Sequence, residues 1–269
     1  MSRGRRFVLK AQAMMIEITD SADARLRLYR DVKDRDLNGR EGLFMAEGKV
    51  VLERLFQSRL AETVSVLTTP ERLRGLDISA LPDMVPVYVV AQGLMDELAG
   101  FPIHRGYLAL GRYAPPLSLE ACVAGAGARV LVLCGISNTD NMGGLMRNAA
   151  AFGVDAVVLD QTSCDPLYRK AIRVSVGGVF EVPHFRVADV TARLKELELT
   201  AFALSPSGAR RLDEVAPPAR SAVLMGAEGP GLPAEIMTAC ESVRIDMSGG
   251  FDSLNVATTS GIVLYHFCR

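Results

Sequence analysis

The stretch ARVLVLCGISNTDNMGGLMRNAAAFGVDAVVLD, residues 128–160, decides the fold class. ARVLVLCG (128–135) is an apolar run of strand length, MGGLMRNAAAFG (142–153) spaces its apolar residues as a helix does, and DAVVLD (155–160) is strand-like again. Strands that are apolar throughout are buried on both faces, so the pattern predicts an α/β fold with a parallel sheet covered by helices. Between strand and helix lies the polar segment ISNTDN. A helix start of this kind turns free backbone N–H groups and the positive end of the dipole toward a ligand.

Downstream the alternation continues, with a helix at VTARLKELE (190–198), strands at TAFALS (200–205) and SAVLMG (221–226), and a last helix at LNVATTSGIVLYHFC (254–268). Ligands of such sheets bind in the loops beyond the carboxyl ends of the strands. Upstream, GRYAPPLSLE (111–120) carries tandem prolines, which favour an extended connector. The boundary therefore falls at a linker over 113–120, with one domain at 20–112, a second at 121–269 and an extension at 1–19. In the first domain ADARLRLYRDVKDRD and EGKVVLERLFQSRL have helical spacing, while ETVSVLTT, VPVYVVA and YLALGRY read as strands. The order helix, helix, strand, helix, strand, helix, strand suggests a small α/β domain, without a catalytic constellation.

A length of 269 residues suits two domains of about 100–150 residues each. No run approaches the roughly 18 apolar residues of a membrane span. Net charge is −1, so any nucleic-acid surface has to be local. Arg3, Arg5, Arg6 and Lys10, followed by Arg25, Arg27, Arg30, Lys33, Arg35 and Arg40, are one candidate; a solvated tail and helix face are the competing reading. Lys10 and Gln12 interrupt the first apolar stretch, which disfavours a secretion signal. Cys122, Cys134, Cys164, Cys240 and Cys268 form no Cys-x-x-Cys pair and have no histidine at zinc-finger spacing. Buried free thiols in a reducing cytoplasm, with no metal site, are expected.

Three segments of the second domain can carry chemistry. The first holds Asn141 and Arg147, six residues apart, the one a loop or cap residue and the other a guanidinium fork suited to phosphate. The second is VLMGAEGPGLP (223–233), a glycine-rich loop directly after a strand, with Glu228 able to orient a guanidinium or accept from ribose hydroxyls. The third, RIDMSGGFDSLNVATTSGIVLYHF (244–267), runs from a loop into the last helix. Asp252 or Ser253 would serve as its N-cap, and Asn255 needs a partner if buried. The GAG at 125–127 precedes its strand instead of following it, which demotes a dinucleotide fingerprint. His104, His184 and His266 are scattered and read as structural.

Together these segments resemble the motifs of the SpoU/TrmH family of RNA ribose 2′-O-methyltransferases, members of the trefoil-knotted SPOUT superfamily. The match is Asn-x-Gly-x-x-x-Arg at Asn141, Gly143 and Arg147, Gly-x-Glu-Gly-x-Gly-Leu at 226–232, and Ser-Leu-Asn-Val-Ala at 253–257. Each motif is weak alone; three in order are specific. Arg173, Ser175 and Gly177 resemble a further family segment, and GLFMAEGKVVLERL resembles the entry helix of the family's substrate-binding domain. One departure is Asp246, where the family usually has proline between the equivalents of Ile245 and Met247.

The resemblance implies a C-terminal trefoil-knotted parallel-sheet methyltransferase domain preceded by a small α/β RNA-binding domain. It implies S-adenosylmethionine as cofactor, held around Leu204, Ser205, Met225, Gly226, Gly229, Ile245, Met247 and Leu254. It also implies an active site of Asn141, Arg147, Glu228, Ser253 and Asn255, no metal, a ribosomal or transfer RNA substrate, and a cytoplasmic homodimer whose site is completed across the interface. A knotted RNA-binding protein that no longer methylates is the alternative, and a nicotinamide-dependent oxidoreductase a more distant one.

Overall fold

In the computed structural model, residues 14–30, 37, 41–99, 106–249 and 252–268 are described. Arg3, Arg5, Arg6, Lys10, Lys33, Arg35, Arg40 and His104 lie outside them, as does the extension up to residue 13.

The first sheet has the order β1-β4-β3-β5-β2, built from β1 (Met14–Glu17), β2 (Phe44–Glu47), β3 (Ala61–Thr68), β4 (Pro86–Val89) and β5 (Tyr107–Tyr113). β1, β4 and β3 run parallel, whereas β5 is antiparallel to both β3 and β2. The helices between them are α1 (Lys49–Gln57), α2 (Pro70–Leu73) and α3 (Gln92–Ala99).

Three sequence expectations are corrected here. β1 and β2 had no place in the predicted order, and FMAE, taken as part of an entry helix, is strand. All four β2 residues are buried, so the run lacks the alternation that separates a strand from a short apolar helix segment. In ADARLRLYRDVKDRD the described part is a 3-10 turn, Ala24–Tyr29, capped by Asp23. Finally, Tyr113, placed first in the linker at 113–120, is the last residue of β5, as the strand reading of YLALGRY has it.

After α4 (Leu119–Cys122) comes the second sheet, ordered β10-β12-β9-β11-β6-β7-β8 and parallel throughout. Its strands are β6 (Ala128–Leu133), β7 (Ala156–Leu159), β8 (His184–Arg186), β9 (Thr200–Leu204), β10 (Arg210–Arg211), β11 (Arg220–Met225) and β12 (Glu241–Arg244). The helices are α5 (Thr139–Ala151), α6 (Arg169–Val174), α7 (Val190–Glu196), α8 (Ala234–Ala239) and α9 (Val256–Phe267).

The apolar strand runs do what their composition dictates. Leu131, Leu133, Val157, Leu159, Val223 and Met225 face one core, shared with α5, α6 and α9. Val130, Val132, Ala156, Val158, Ala222 and Leu224 alternate into a second core on the opposite face, closed by α7. Each valine, leucine or methionine among them, once buried, contributes about 1.5–3 kcal/mol.

The first core continues into the first sheet. Phe44 of β2 stacks on Phe180 at 5.2 Å, and Tyr113 of β5 stacks on His184 of β8 at 4.0 Å. The Ser58 hydroxyl donates to the Phe180 carbonyl, and the His184 amide donates to the Tyr113 hydroxyl at 2.8 Å.

α5 also meets α6 closely. A Cβ built on Gly143 would stand 2.6 Å from the Val174 Cβ and 2.7 Å from the Ala171 carbonyl oxygen, so only glycine fits there. Asn148, one turn beyond Leu145, donates through its amide to the Ala257 carbonyl (2.7 Å) and the Ser260 hydroxyl (2.8 Å), fixing α9 on α5.

Candidate active site

β12, β9 and β11 are adjacent and parallel, so their carboxyl ends lie side by side. β9 and β11 end in apolar residues, β12 in Val243 and Arg244, and a cavity of about 510 Å³ lies above the three strand ends. Its walls are Val243, Ile245 and Met247 after β12, Leu204, Ser205 and Pro206 after β9, Met225 to Gly229 and Gly231 after β11, and Ser253 to Val256 with Thr259 from the start of α9. The volume falls within the roughly 300–1,000 Å³ of small-molecule and cofactor sites, and the mixture of apolar walls with a few polar groups is theirs too.

All eight residues assigned to the cofactor from sequence, Leu204, Ser205, Met225, Gly226, Gly229, Ile245, Met247 and Leu254, line this cavity. Ala227, Gly231, Val243, Pro206, Val256 and Thr259 line it as well and were missed. Their signal was adjacency to a strand end or helix start, which does not say whether a residue points inward.

The loop after β11 folds back on itself. The Gly231 amide donates to the Ala227 carbonyl at 3.0 Å, and a Cβ on Gly226 would come within 2.3 Å of the Gly231 carbonyl carbon. Any side chain at 226 would open this turn and move Glu228.

One amide joins the three motif segments. The Asn255 Nδ2 donates to Asn141 Oδ1 at 2.8 Å and to Glu228 Oε1 at 3.0 Å. Its Oδ1 accepts from the Ala257 and Thr258 amides, so Asn255 itself caps α9, correcting the expectation of Asp252 or Ser253. Asn141 is 7% exposed and sits in the first turn of α5, whose cap is Asn138. Glu228 and Asn255 are exposed at the cavity rim, and Ser253 lines the cavity beside them. Among the described residues the Glu228 carboxylate accepts from the Asn255 amide and pairs with no guanidinium.

Arg147 stands apart. It is exposed and does not line the cavity, and among the described residues it forms no hydrogen bond or ion pair. The helix explains this, since six residues advance the chain about 9 Å and turn it by about 240° from Asn141. The single site expected from sequence is thus four residues plus an arginine on another face of α5.

Arg173, Ser175 and Gly177 are also remote from the cavity. Arg173 pairs with Glu47 of β2 at 3.5 Å, the Ser175 hydroxyl donates to the Ile172 carbonyl, and Gly177 lies beneath the Arg54 stem. Arg173 and Gly177 thereby meet the first sheet's β2 and α1. Asp246, where proline was expected, accepts from Arg244 Nε at 2.8 Å and pairs with Arg211 at 3.3 Å.

The cysteines are free, with Cys134 buried and the other four half-buried. Burial pushes the Cys134 thiol up to about 12 and Cys164 to about 11, which keeps both protonated and poorly nucleophilic at neutral pH. Among the described residues no three His, Cys, Asp or Glu side chains form a group able to hold a metal ion. No described helix is long and apolar enough to cross a membrane.

Residues 128–265 match the SpoU rRNA Methylase family. A protein of Mycobacterium tuberculosis named an uncharacterized tRNA/rRNA methyltransferase is 39% identical over 265 residues, spanning 94% of this chain and 91% of its own length. The 23S rRNA (guanosine-2′-O-)-methyltransferase RlmB of Acinetobacter baylyi is 31% identical over 74% of this chain and 84% of its own. Among solved structures, an RNA 2′-O ribose methyltransferase superposes with a TM-score of 0.74 at 26% identity, over 93% of this chain and 97% of that one. An AdoMet-bound rRNA methyltransferase from Sinorhizobium meliloti shares the fold, with a TM-score of 0.78 at 21% identity over 94% and 97% of the two chains. With its strand-end cavity and three motif segments joined through Asn255, this chain belongs to the SpoU rRNA methylase family.

Proposed function

We propose that the protein transfers the methyl group of S-adenosylmethionine to a ribose 2′-hydroxyl of structured ribosomal or transfer RNA, acting in the cytoplasm. The observation that carries this reading is the cavity at the ends of β12, β9 and β11 with the Asn141–Asn255–Glu228 hydrogen bonds at its rim. Leu204, Met225, Ile245 and Leu254 offer apolar wall for an aromatic base, while Ser205 and Glu228 offer polar atoms for hydroxyl or amino groups. The cofactor, when bound, supplies an electrophilic sulfonium methyl. The chain has to hold the ribose oxygen in line with that carbon and favour loss of its proton, so positioning and electrostatics are the catalytic terms.

Asn255 holds Glu228 and Asn141 in fixed orientation, and the start of α9 aims its positive dipole end at the rim. Ser253 adds a hydroxyl on the same side. Arg147 is a phosphate and hydroxyl ligand, not a base, because a guanidinium stays charged. Since Arg147 lies on another face of α5, a second copy of the chain supplies it, and the working unit is a homodimer. Residues 121–269 constitute a trefoil-knotted catalytic domain. Residues 20–112 constitute an α/β RNA-binding domain joined by the linker at 113–120, with 1–19 as an extension.

Arg147→Ala is expected to bind S-adenosylmethionine in calorimetry with unchanged affinity and to lose methylation of total rRNA and tRNA. Mixing it with Glu228→Ala should restore about a quarter of the wild-type rate, because half the dimers are mixed and each then holds one intact site. Full activity of Arg147→Ala would remove its role. Failure of the mixture to recover would place Arg147 in its own chain's site, and absence of cofactor binding by the wild type would favour an RNA-binding protein without transferase activity.

A further inference from the structure

Two walls of the cavity are bound to each other from behind. Ile245 and Met247 form one, and the residue between them, Asp246, turns away from the cavity toward a pair of arginines. Ser205 and Pro206 form the other, and the chain continues from them through Gly208 and Ala209 into β10.

Arg244, the last residue of β12, reaches both. Its Nε donates to Asp246 Oδ1 at 2.8 Å, and its Nη1 donates to the carbonyls of Gly208 (2.9 Å) and Ala209 (3.1 Å). Arg211, the register partner of Arg244 in the β10–β12 pair, approaches Asp246 Oδ2 at 3.3 Å through Nε. Arg211 is itself held in place by Asp213, at 3.0 and 2.7 Å. Tyr265 and His266 also line this small hollow, and the His266 Nε2 donates to the Val215 carbonyl at 2.7 Å.

Deleting the Asp246 charge would leave the Arg211 and Arg244 guanidinium groups with one carboxylate, that of Asp213, which pairs with Arg211. Arg244 would then be free to leave the Gly208 and Ala209 carbonyls, and 205–209 would be held to β12 by the Ser205 amide on the Val243 carbonyl and the Ala209 amide on the Ser242 hydroxyl, each at 3.0 Å.

We propose that Asp246 and Arg244 form an ionic latch that sets the spacing of these two walls and thereby the affinity of the cavity for S-adenosylmethionine. This rests on the cofactor reading above. Both are positioning residues and touch neither cofactor nor RNA. Because Asp246 is 49% exposed, the latch operates in contact with solvent and is weakened by salt.

The test uses the full-length protein with Asp246→Asn and Asp246→Glu. Calorimetric titration with S-adenosylmethionine at low ionic strength should show Asp246→Asn binding about three- to tenfold more weakly than wild type, the size expected of two exposed ion pairs. Wild-type affinity should fall by a similar factor at about 1 M salt, where the Debye length is roughly 3 Å, whereas Asp246→Asn should show little salt dependence. Asp246→Glu should recover part of the loss, and kcat at saturating cofactor should stay within about twofold of wild type.

Amide hydrogen exchange on the cofactor-free proteins decides the latch independently. Exchange in 205–209 and 245–247 should quicken together in Asp246→Asn. Unchanged exchange in both segments, or unchanged affinity and salt profile, overturns the proposal. A wild type that takes up no cofactor, with exchange still quickened by Asp246→Asn, overturns the cofactor reading and the link to affinity while the tie between the two walls stands.

Discussion

Asn255→Asp keeps the cap oxygen of α9 and removes the amide that reaches Asn141 and Glu228, so it separates two roles of one side chain. Asn and Asp cap helices about equally, so the cap contribution of about 1 kcal/mol is retained in Asn255→Asp and lost in Asn255→Ala. Both substitutions lose two hydrogen bonds. At this exposed rim each stands at the low end of its usual range, about 0.5 kcal/mol. In Asn255→Asp the new carboxylate also faces Glu228, a repulsion of about 1 kcal/mol at water-like dielectric. Each single variant should therefore lose about 2 kcal/mol, or about 4–8 °C in a chain of this size.

The second substitution tells them apart. Glu228→Gln removes the repulsion and offers a donor to the new carboxylate, so in the Asn255→Asp background it should regain about 1 kcal/mol, and in the Asn255→Ala background almost nothing. Urea unfolding followed by circular dichroism measures all four variants against wild type. If Glu228→Gln changes the midpoint equally in both backgrounds, the contact between the Asn255 amide and Glu228 does not hold the rim together, and the proposed positioning of Glu228 fails with it.

Gly143→Ala should lower stability by about 1–3 kcal/mol or more, since the added methyl would meet the Val174 Cβ and the Ala171 carbonyl at under 2.8 Å, and a thermal midpoint equal to wild type would contradict the packing of α5 on α6. Burial pushes the His184 imidazole down to about 3, and its Nδ1 has no hydrogen-bond partner among the described residues. Between the ordinary value of about 6.5 and 3 the unfolded chain therefore binds a proton that the folded chain refuses. This contribution to stability is intact above pH 7 and is lost as pH falls, with a limiting slope of about 1.4 kcal/mol per pH unit. Urea midpoints between pH 7 and pH 5 should show that slope in wild type and a shallower one in His184→Phe; parallel slopes would remove His184 as the cause.

The second sheet was largely legible because its longer strands are mostly apolar and its helices amphipathic or apolar, so composition and period agree on ARVLVLCG, DAVVLD, SAVLMG and the last helix. Shorter elements were not. β10 has two residues, β12 reads ESVR with one buried position, and β8 reads HFR; none is long enough to show a period. Yet β12 carries one wall of the cavity.

The motif segments were legible as residue types in order, and eight assignments to a cofactor fall on one cavity wall or another. Sequence named Asn141, Glu228 and Asn255 separately, each with a structural explanation of its own. Only the placement of β12, β9 and β11 side by side, and of α9 across α5, brings the three within one hydrogen-bond network, because those neighbours are set by sheet order and not by chain order.

The same physics separates Arg147 from its motif. Spacing put it near Asn141, but a helix turns about 100° per residue, and the sixth residue faces elsewhere. Likewise Asp246 reads in the sequence as a lone departure between Ile245 and Met247, and acquires a role only where β10 pairs with β12 and sets Arg211 beside Arg244. By itself, then, the sequence determined the buried parallel sheet through local period and composition, while its motif segments carried the resemblance to the family and, with it, the candidate site residues. Which of them touch, which face the cavity and which face away was decided by tertiary structure, because contacts across a sheet depend on strand order and helix rotation that no local pattern encodes.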